Sequence, residues 1–91
     1  MIMETQHVRY FLAICEELSF TRAAQKCGIK QPTLSEAVKQ MERAMGGELF
    51  VRASPVQLTA LGIQLLPICA QINELLENAR AMSTLLEEPT P

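Results

Sequence analysis

The sequence has no tryptophan, one tyrosine, one histidine and three phenylalanines in 91 residues. With so few aromatic rings, packing falls to Leu, Ile, Ala and Met, which favours a helical class over a β-rich one. His7 stands without an acid pair, a Gly-rich phosphate loop or a nucleophile beside a base, so no enzyme is expected. It reads as a structural or solvated residue of a first helix. Cys15, Cys27 and Cys69 are odd in number and lack CxxC or Cys/His spacing, which argues against a disulfide framework and a metal motif. They read as reduced, buried core residues of a cytosolic chain. No charged residue occurs from Ala53 through Asn73, yet that stretch holds three Gln and two Pro, so it is not a transmembrane helix. No basic region followed by an apolar run and a cleavage site opens the chain, and no secretory signal is expected. One domain with a modest core is what this length allows.

Positive charge is also scarce, with a net charge of −2 that is unexpected for a partner of phosphate. Up to Leu58, however, seven Lys/Arg face six Asp/Glu, whereas from Thr59 onward one Arg faces four Glu. The acidic excess belongs to the tail.

What the chain does contain is concentrated between Ser19 and Met45. Ala23 and Ala24 are small enough to let two helices cross closely. Four residues on, Gly28 can adopt the left-handed backbone that ends a helix. Ile29 plugs the angle between the helices, and Lys30-Gln31-Pro32 opens the next with proline in its first turn. Leu34, Ala37, Val38, Met41 and Met45 step by three and four and face a core. Gln31, Thr33, Ser35, Glu36, Lys39 and Gln40 are left outward, as on a helix that reads base edges in the major groove. An ordinary helical hairpin is the alternative.

On either side lie supporting elements. Thr5 is placed to cap a first helix whose stripe is Val8, Phe11, Leu12, Cys15 and Leu18. Ser19 caps the second, with Phe20 inward and Thr21 and Arg22 at an exposed helix start suited to a DNA phosphate. Gly46-Gly47 ends the third helix. Glu48 to Arg52 and Val56 to Leu58 then form a short β-hairpin about Ala53-Ser54-Pro55, either a wing against DNA or a plain surface loop. Thr59 caps a long last helix with apolar residues at Leu61, Leu65, Ile68, Ile72, Leu75, Ala79, Met82 and Leu86. This 3.5-residue period is that of a coiled coil, on a helix roughly 40 Å long. A second copy of the same helix is the simplest partner for the seam, the first helix of the same chain covering only its early turns. Pro67 inside it should bend it.

These motifs follow a known order: Arg9-Tyr10-Phe11, Ser19-Phe20-Thr21-Arg22-Ala23-Ala24, Gln31-Pro32-Thr33-Leu34-Ser35, Glu42, Gly46, Leu49-Phe50 with Arg52, then Leu58-Thr59 with Gly62. From His7 to about Leu86 the chain resembles the N-terminal DNA-binding region of LysR-type transcriptional regulators. The resemblance implies a mainly α, winged helix-turn-helix of three helices and a short β-hairpin wing, followed by a dimerisation helix. The implied divisions are a DNA-binding domain over 1–58, a linker helix over 59–86 and a tail or truncated linker over 87–91. It further implies a homodimer on an interrupted inverted repeat of double-stranded DNA, in the bacterial cytoplasm at the nucleoid. Gln31, Pro32, Thr33, Ser35 and Glu36 would approach bases, and Thr21, Arg22, Lys30, Lys39, Arg52 and Ser54 would hold the DNA backbone. Leu61 through Leu86 of the seam would hold the partner chain. Complete family members carry a larger domain for a small effector, which 91 residues do not contain, so no cofactor is expected here.

Three positions depart from the family pattern. Lys30 stands where Ser or Thr is frequent, replacing a cap oxygen by a charge. Glu36 stands where Arg or Lys is usual, and a carboxylate repels phosphate unless it accepts from a cytosine N4 amine. The wing is one residue short and lacks the usual basic residue. Fewer phosphate anchors imply a shallower salt dependence and more reliance on bases and DNA shape. A coiled-coil interaction module that has lost specific DNA binding is the competing reading.

Overall fold

The computed structural model describes residues 4–86, with side chains through residue 82. The elements are α1 (Thr5–Glu17), α2 (Phe20–Cys27), α3 (Gln31–Met45), β1 (Phe50–Val51), β2 (Gln57–Leu58) and α4 (Ala60–Leu86). The winged helix-turn-helix with a long following helix is therefore the observed architecture. The expected tail over 87–91 and the Leu86 side chain lie outside the described residues and side chains.

Each junction has a local cause. Glu4, not Thr5, is the N-cap of α1, and Thr5 is its first helical residue. The buried His7 imidazole accepts from the Glu4 N–H through Nδ1 at 3.3 Å, the reach-back of a capping box made by a histidine. At the other end Leu18 leaves the expected stripe: it caps α1 at φ 49° and its side chain is exposed. Its carbonyl accepts from Val56 N–H at 3.0 Å, joining the helix end to the wing. Ser19 caps α2 as expected, its Oγ accepting from Arg22 N–H at 3.2 Å. Gly28 turns the chain at φ 70°, and Ile29 N–H donates back to Ala24 carbonyl at 3.0 Å.

On α3 the buried residues are Leu34, Ala37, Val38 and Met41, while Met45, expected in the core, lies exposed in the last turn beside Gly46. Glu42 is half-buried, and its Oε2 accepts from Leu49 N–H at 2.8 Å, so its carboxylate fastens the start of the wing to α3. The hairpin pairs Phe50 with Leu58 and Val51 with Gln57, antiparallel.

Phe11, Ile14, Leu34, Val38, Met41, Leu49 and Cys69 are the largest fully buried side chains; with Phe20, Ala23 and Ala24 of α2 and Phe50 of β1 they form one core that joins every helix to the wing. Cys15 and Cys27, expected as buried, are only half-buried. Burial chiefly, and then the nearby Cys69 and Glu16, push the Cys15 thiol up to about 12. Burial also raises Cys69. Both thiols stay protonated at neutral pH and are poor nucleophiles.

Thr59 caps α4, accepting from Gly62 N–H at 3.1 Å while donating to the Glu48 carbonyl at 2.6 Å. Gly62 is where α4 meets the strand: a Cβ there would lie 2.3 Å from the Leu49 carbonyl oxygen. Backbone cannot rotate away as a side chain can. Gly62→Ala is therefore expected to destabilise the fold by about 1–3 kcal/mol, read as a lower thermal midpoint.

The single apolar seam expected on α4 resolves into two faces. Leu65 is 3% exposed and fully buried Cys69 follows it, with Leu61 and Ile72 packed beside the core. Ile68, Leu75 and Met82 are exposed, as is Ala79. Leu65 is thus committed to its own chain and is not available to a partner. The cause is helix geometry: at about 3.6 residues per turn, alternate members of the repeat lie about 60° apart around the helix. Leu65 and Ile72 sit on the side toward the core, and Ile68, Leu75 and Met82 sit on the side away from it. Pro67 lies within α4, which continues through it. The helix carries the molecule well past its globular end, giving extents of 53 × 24 × 21 Å.

Candidate nucleic-acid interface

A helix can read DNA only if one side is anchored and the other is polar and bare. The four buried residues of α3 lie within one arc, and Gln31, Pro32, Thr33, Glu36, Lys39 and Gln40 are exposed on the other. Ser35 is half-buried at the edge of that surface. Lys30 caps α3 through its backbone alone, with no side-chain hydrogen bond, so its ammonium group is not spent on the cap. Two grooves flank the helix. One runs beside α1 and is lined by His7, Tyr10, Thr33, Glu36 and Gln40. The other runs beside the wing and is lined by Gln31, Phe20, Arg52 and Ser54.

Arg52 is exposed, but its side chain folds back along the surface of the domain. Its guanidinium carbon lies 4.3 Å from the Phe20 ring centroid, a cation–π contact, and its Nη1 donates to Ser35 Oγ at 3.4 Å. It therefore braces the wing against α3 and leaves the Ser35 hydroxyl hydrogen for another acceptor. Ser54 is exposed at the turn, beside a cis Ser54–Pro55 bond.

Thr21 and Arg22 are exposed at the start of α2, as expected. Arg22 is partly engaged: its Nη2 donates to the Glu17 carbonyl at 3.0 Å and its Nε lies 3.5 Å from the Glu17 carboxylate. Lys26 pairs with Glu16 and, at 3.7 Å, with Glu17; the Glu16 hydrogen bond foremost raises its pKa. Being exposed, these pairs are screened by solvent.

Arg43 escaped the sequence reading. Its Nη2 lies 3.1 Å from Glu36 Oε1, two turns earlier on the same outward surface. The seven-residue spacing was visible as a signal, but only the fold places both residues opposite the core. Among the described residues, no group of three or more His, Cys, Asp or Glu is placed to hold a metal ion, and no helix is long and apolar enough to cross a membrane.

Comparison with known proteins agrees with this geometry. The model of a family described as bacterial regulatory helix-turn-helix protein, lysR family, matches residues 5–63. The uncharacterized HTH-type transcriptional regulator YnfL of Escherichia coli (strain K12) is 39% identical over 89 residues, covering 97% of this chain and 30% of that protein. The HTH-type transcriptional regulator IlvR of Caulobacter vibrioides is 47% identical over 66 residues, covering 71% of this chain and 22% of that protein. The chain thus spans less than a third of the length of either relative. Among solved structures, the BenM DBD in complex with catB site 1 DNA aligns with a TM-score of 0.87 at 34% identity, over 97% of this chain and 100% of that one. A CbnR DBD–DNA complex aligns with a TM-score of 0.83 at 27% identity, over 92% and 98% of the two chains.

Proposed function

We propose, from the premise that this chain belongs to the lysR family of bacterial regulatory helix-turn-helix proteins, that it reads double-stranded DNA as a homodimer in transcription regulation. The observation that carries this reading is the exposed polar face of α3, held opposite a buried apolar face in a fold shared along nearly its whole length with two domains solved on DNA. In this reading residues 1–58 form the DNA-binding domain and 59–86 the linker. Gln31, Pro32, Thr33 and Ser35 approach bases near the start of α3. Thr21, Arg22, Lys30, Lys39 and Ser54 meet the sugar-phosphate backbone, and Arg52 keeps the wing in register with α3.

The exposed Ile68, Leu75, Ala79 and Met82 suit pairing with the same helix of a second chain, running antiparallel. A two-fold dimer of this kind faces an interrupted inverted repeat, one half-site per recognition helix. No cofactor is assigned to these residues. The reaction class is binding alone, performed on bacterial DNA in the cytoplasm.

The test is the salt dependence of binding to labelled duplex DNA, followed by fluorescence anisotropy. With Arg22, Lys30 and Lys39 as the cations of each subunit, log Kobs should fall against log salt with a slope of about −5, and Lys39→Ala should flatten it by about 2 in the dimer. Absence of duplex binding at low salt, or a slope that Lys39→Ala leaves unchanged, contradicts the assignment.

A further inference from the structure

We propose that Glu36 is a specificity-determining residue that fixes a cytosine in each half-site, with Arg43 as its positioning residue; this rests on the reading of α3 as the recognition helix. The placement follows from helix geometry. At about 100° per residue, the line opposite the buried Leu34, Ala37, Val38 and Met41 passes through Pro32, Glu36, Lys39 and Arg43. All four are exposed. Thr33 and Gln40 lie to one side, toward α1, and Gln31 and Ser35 to the other, toward the wing.

This midline has a distinct environment in DNA. A helix with its side chains is about as wide as the major groove, so the exposed side of its inserted first two turns faces the base edges, while residues further along, such as Lys39, approach the phosphates. Glu36 is on that midline, close enough to the start of the helix to be presented to bases. An ionised carboxylate only accepts hydrogen bonds, and the major groove offers it donors at cytosine N4 and adenine N6 alone. Adenine places the N7 acceptor beside its donor, which opposes the second carboxylate oxygen. Cytosine has no such neighbour on its own ring.

A bare carboxylate in this groove would be expelled by the surrounding phosphates. Arg43 offsets that repulsion: its Nη2 holds Glu36 Oε1 at 3.1 Å and leaves Oε2 for a base. The pair is exposed on both sides and adds little to folding. Its effect is on where the carboxylate points and on the net charge presented to DNA.

The experiment is parallel enrichment of random duplex DNA by the full chain and by its Glu36→Arg, Arg43→Ala and Arg43→Lys variants, all altered at exposed positions. The parent chain should fix cytosine at one position of each half-site by about tenfold over other bases. Glu36→Arg should move that position to guanine, through O6 and N7, and leave its neighbours unchanged. Arg43→Ala should reduce the cytosine preference there severalfold while Arg43→Lys retains it. An unaltered motif in Glu36→Arg overturns the role of Glu36, and an undiminished cytosine preference in Arg43→Ala overturns that of Arg43. Enrichment by none of the four chains would instead overturn the DNA-reading assignment itself.

Discussion

Truncation of Phe50 to alanine is expected to destabilise the domain by about 3–5 kcal/mol, more than any substitution on the outward face of α3. Phe50 lies on β1, is 2% exposed, and contacts two other rings: Phe11 of α1 at 5.2 Å between centroids and Phe20 of α2 at 5.9 Å, edge to face. It is the one aromatic residue linking the wing to both scaffold helices among the described residues. Its loss removes the buried area of a ring, the two ring contacts and the support beneath Phe20, on which Arg52 rests. In a domain of this size, each kcal/mol lowers the thermal midpoint by about 4–8 °C. Differential scanning calorimetry should therefore show a fall of at least about 12 °C. A shift of only a few degrees would mean that the wing is not integrated into the core.

Leu75→Glu is expected to leave the isolated chain folded and to abolish its dimer. Leu75 is 67% exposed, so a glutamate there is solvated in the monomer and its effect on folding is small. In the proposed antiparallel pairing, the same substitution places carboxylates in an apolar seam, where burial of an uncompensated charge is severely unfavourable. Two linked readers gain about 10²–10⁴ in avidity over one. The variant should sediment as a monomer and bind an inverted repeat weaker by a factor within that range. Its affinity for a single half-site should be unchanged. A dimeric Leu75→Glu chain would place the interface elsewhere.

The folding signals easiest to read in the sequence were those set within one turn of chain. Ser19 as a cap, Gly28 as a left-handed turn, proline in the first turn of α3 and Thr59 before α4 each depend on a few neighbouring residues, and each is observed. Stripes were legible in their middles and failed at their ends: Leu18 and Met45 share the period of their helices but occupy last turns, where capping geometry and exposure replace packing. The α4 seam failed because its alternate members lie about 60° apart around the helix and the core covers only one of the two lines, as exposed Ile68 between buried Leu65 and packed Ile72 shows. Arg52 lies seventeen residues from Ser35 and thirty-two from Phe20, and nothing local foretold that it would fold back along the surface to both. The outward face of α3 was legible by elimination once its core residues were placed. Arg43 was overlooked because its charge, on a helix face rich in polar residues, looked like ordinary solvated surface.

The central claim is that this chain is a dimeric reader of base sequence, and the most direct measurement is selection from random duplex DNA at two salt concentrations, with the mass of the recovered complex determined. The expected result is an interrupted inverted repeat enriched at both salts and bound by two chains. Absence of enrichment at either salt, with the chain still folded and self-associating, would contradict the claim and favour a coiled-coil interaction module.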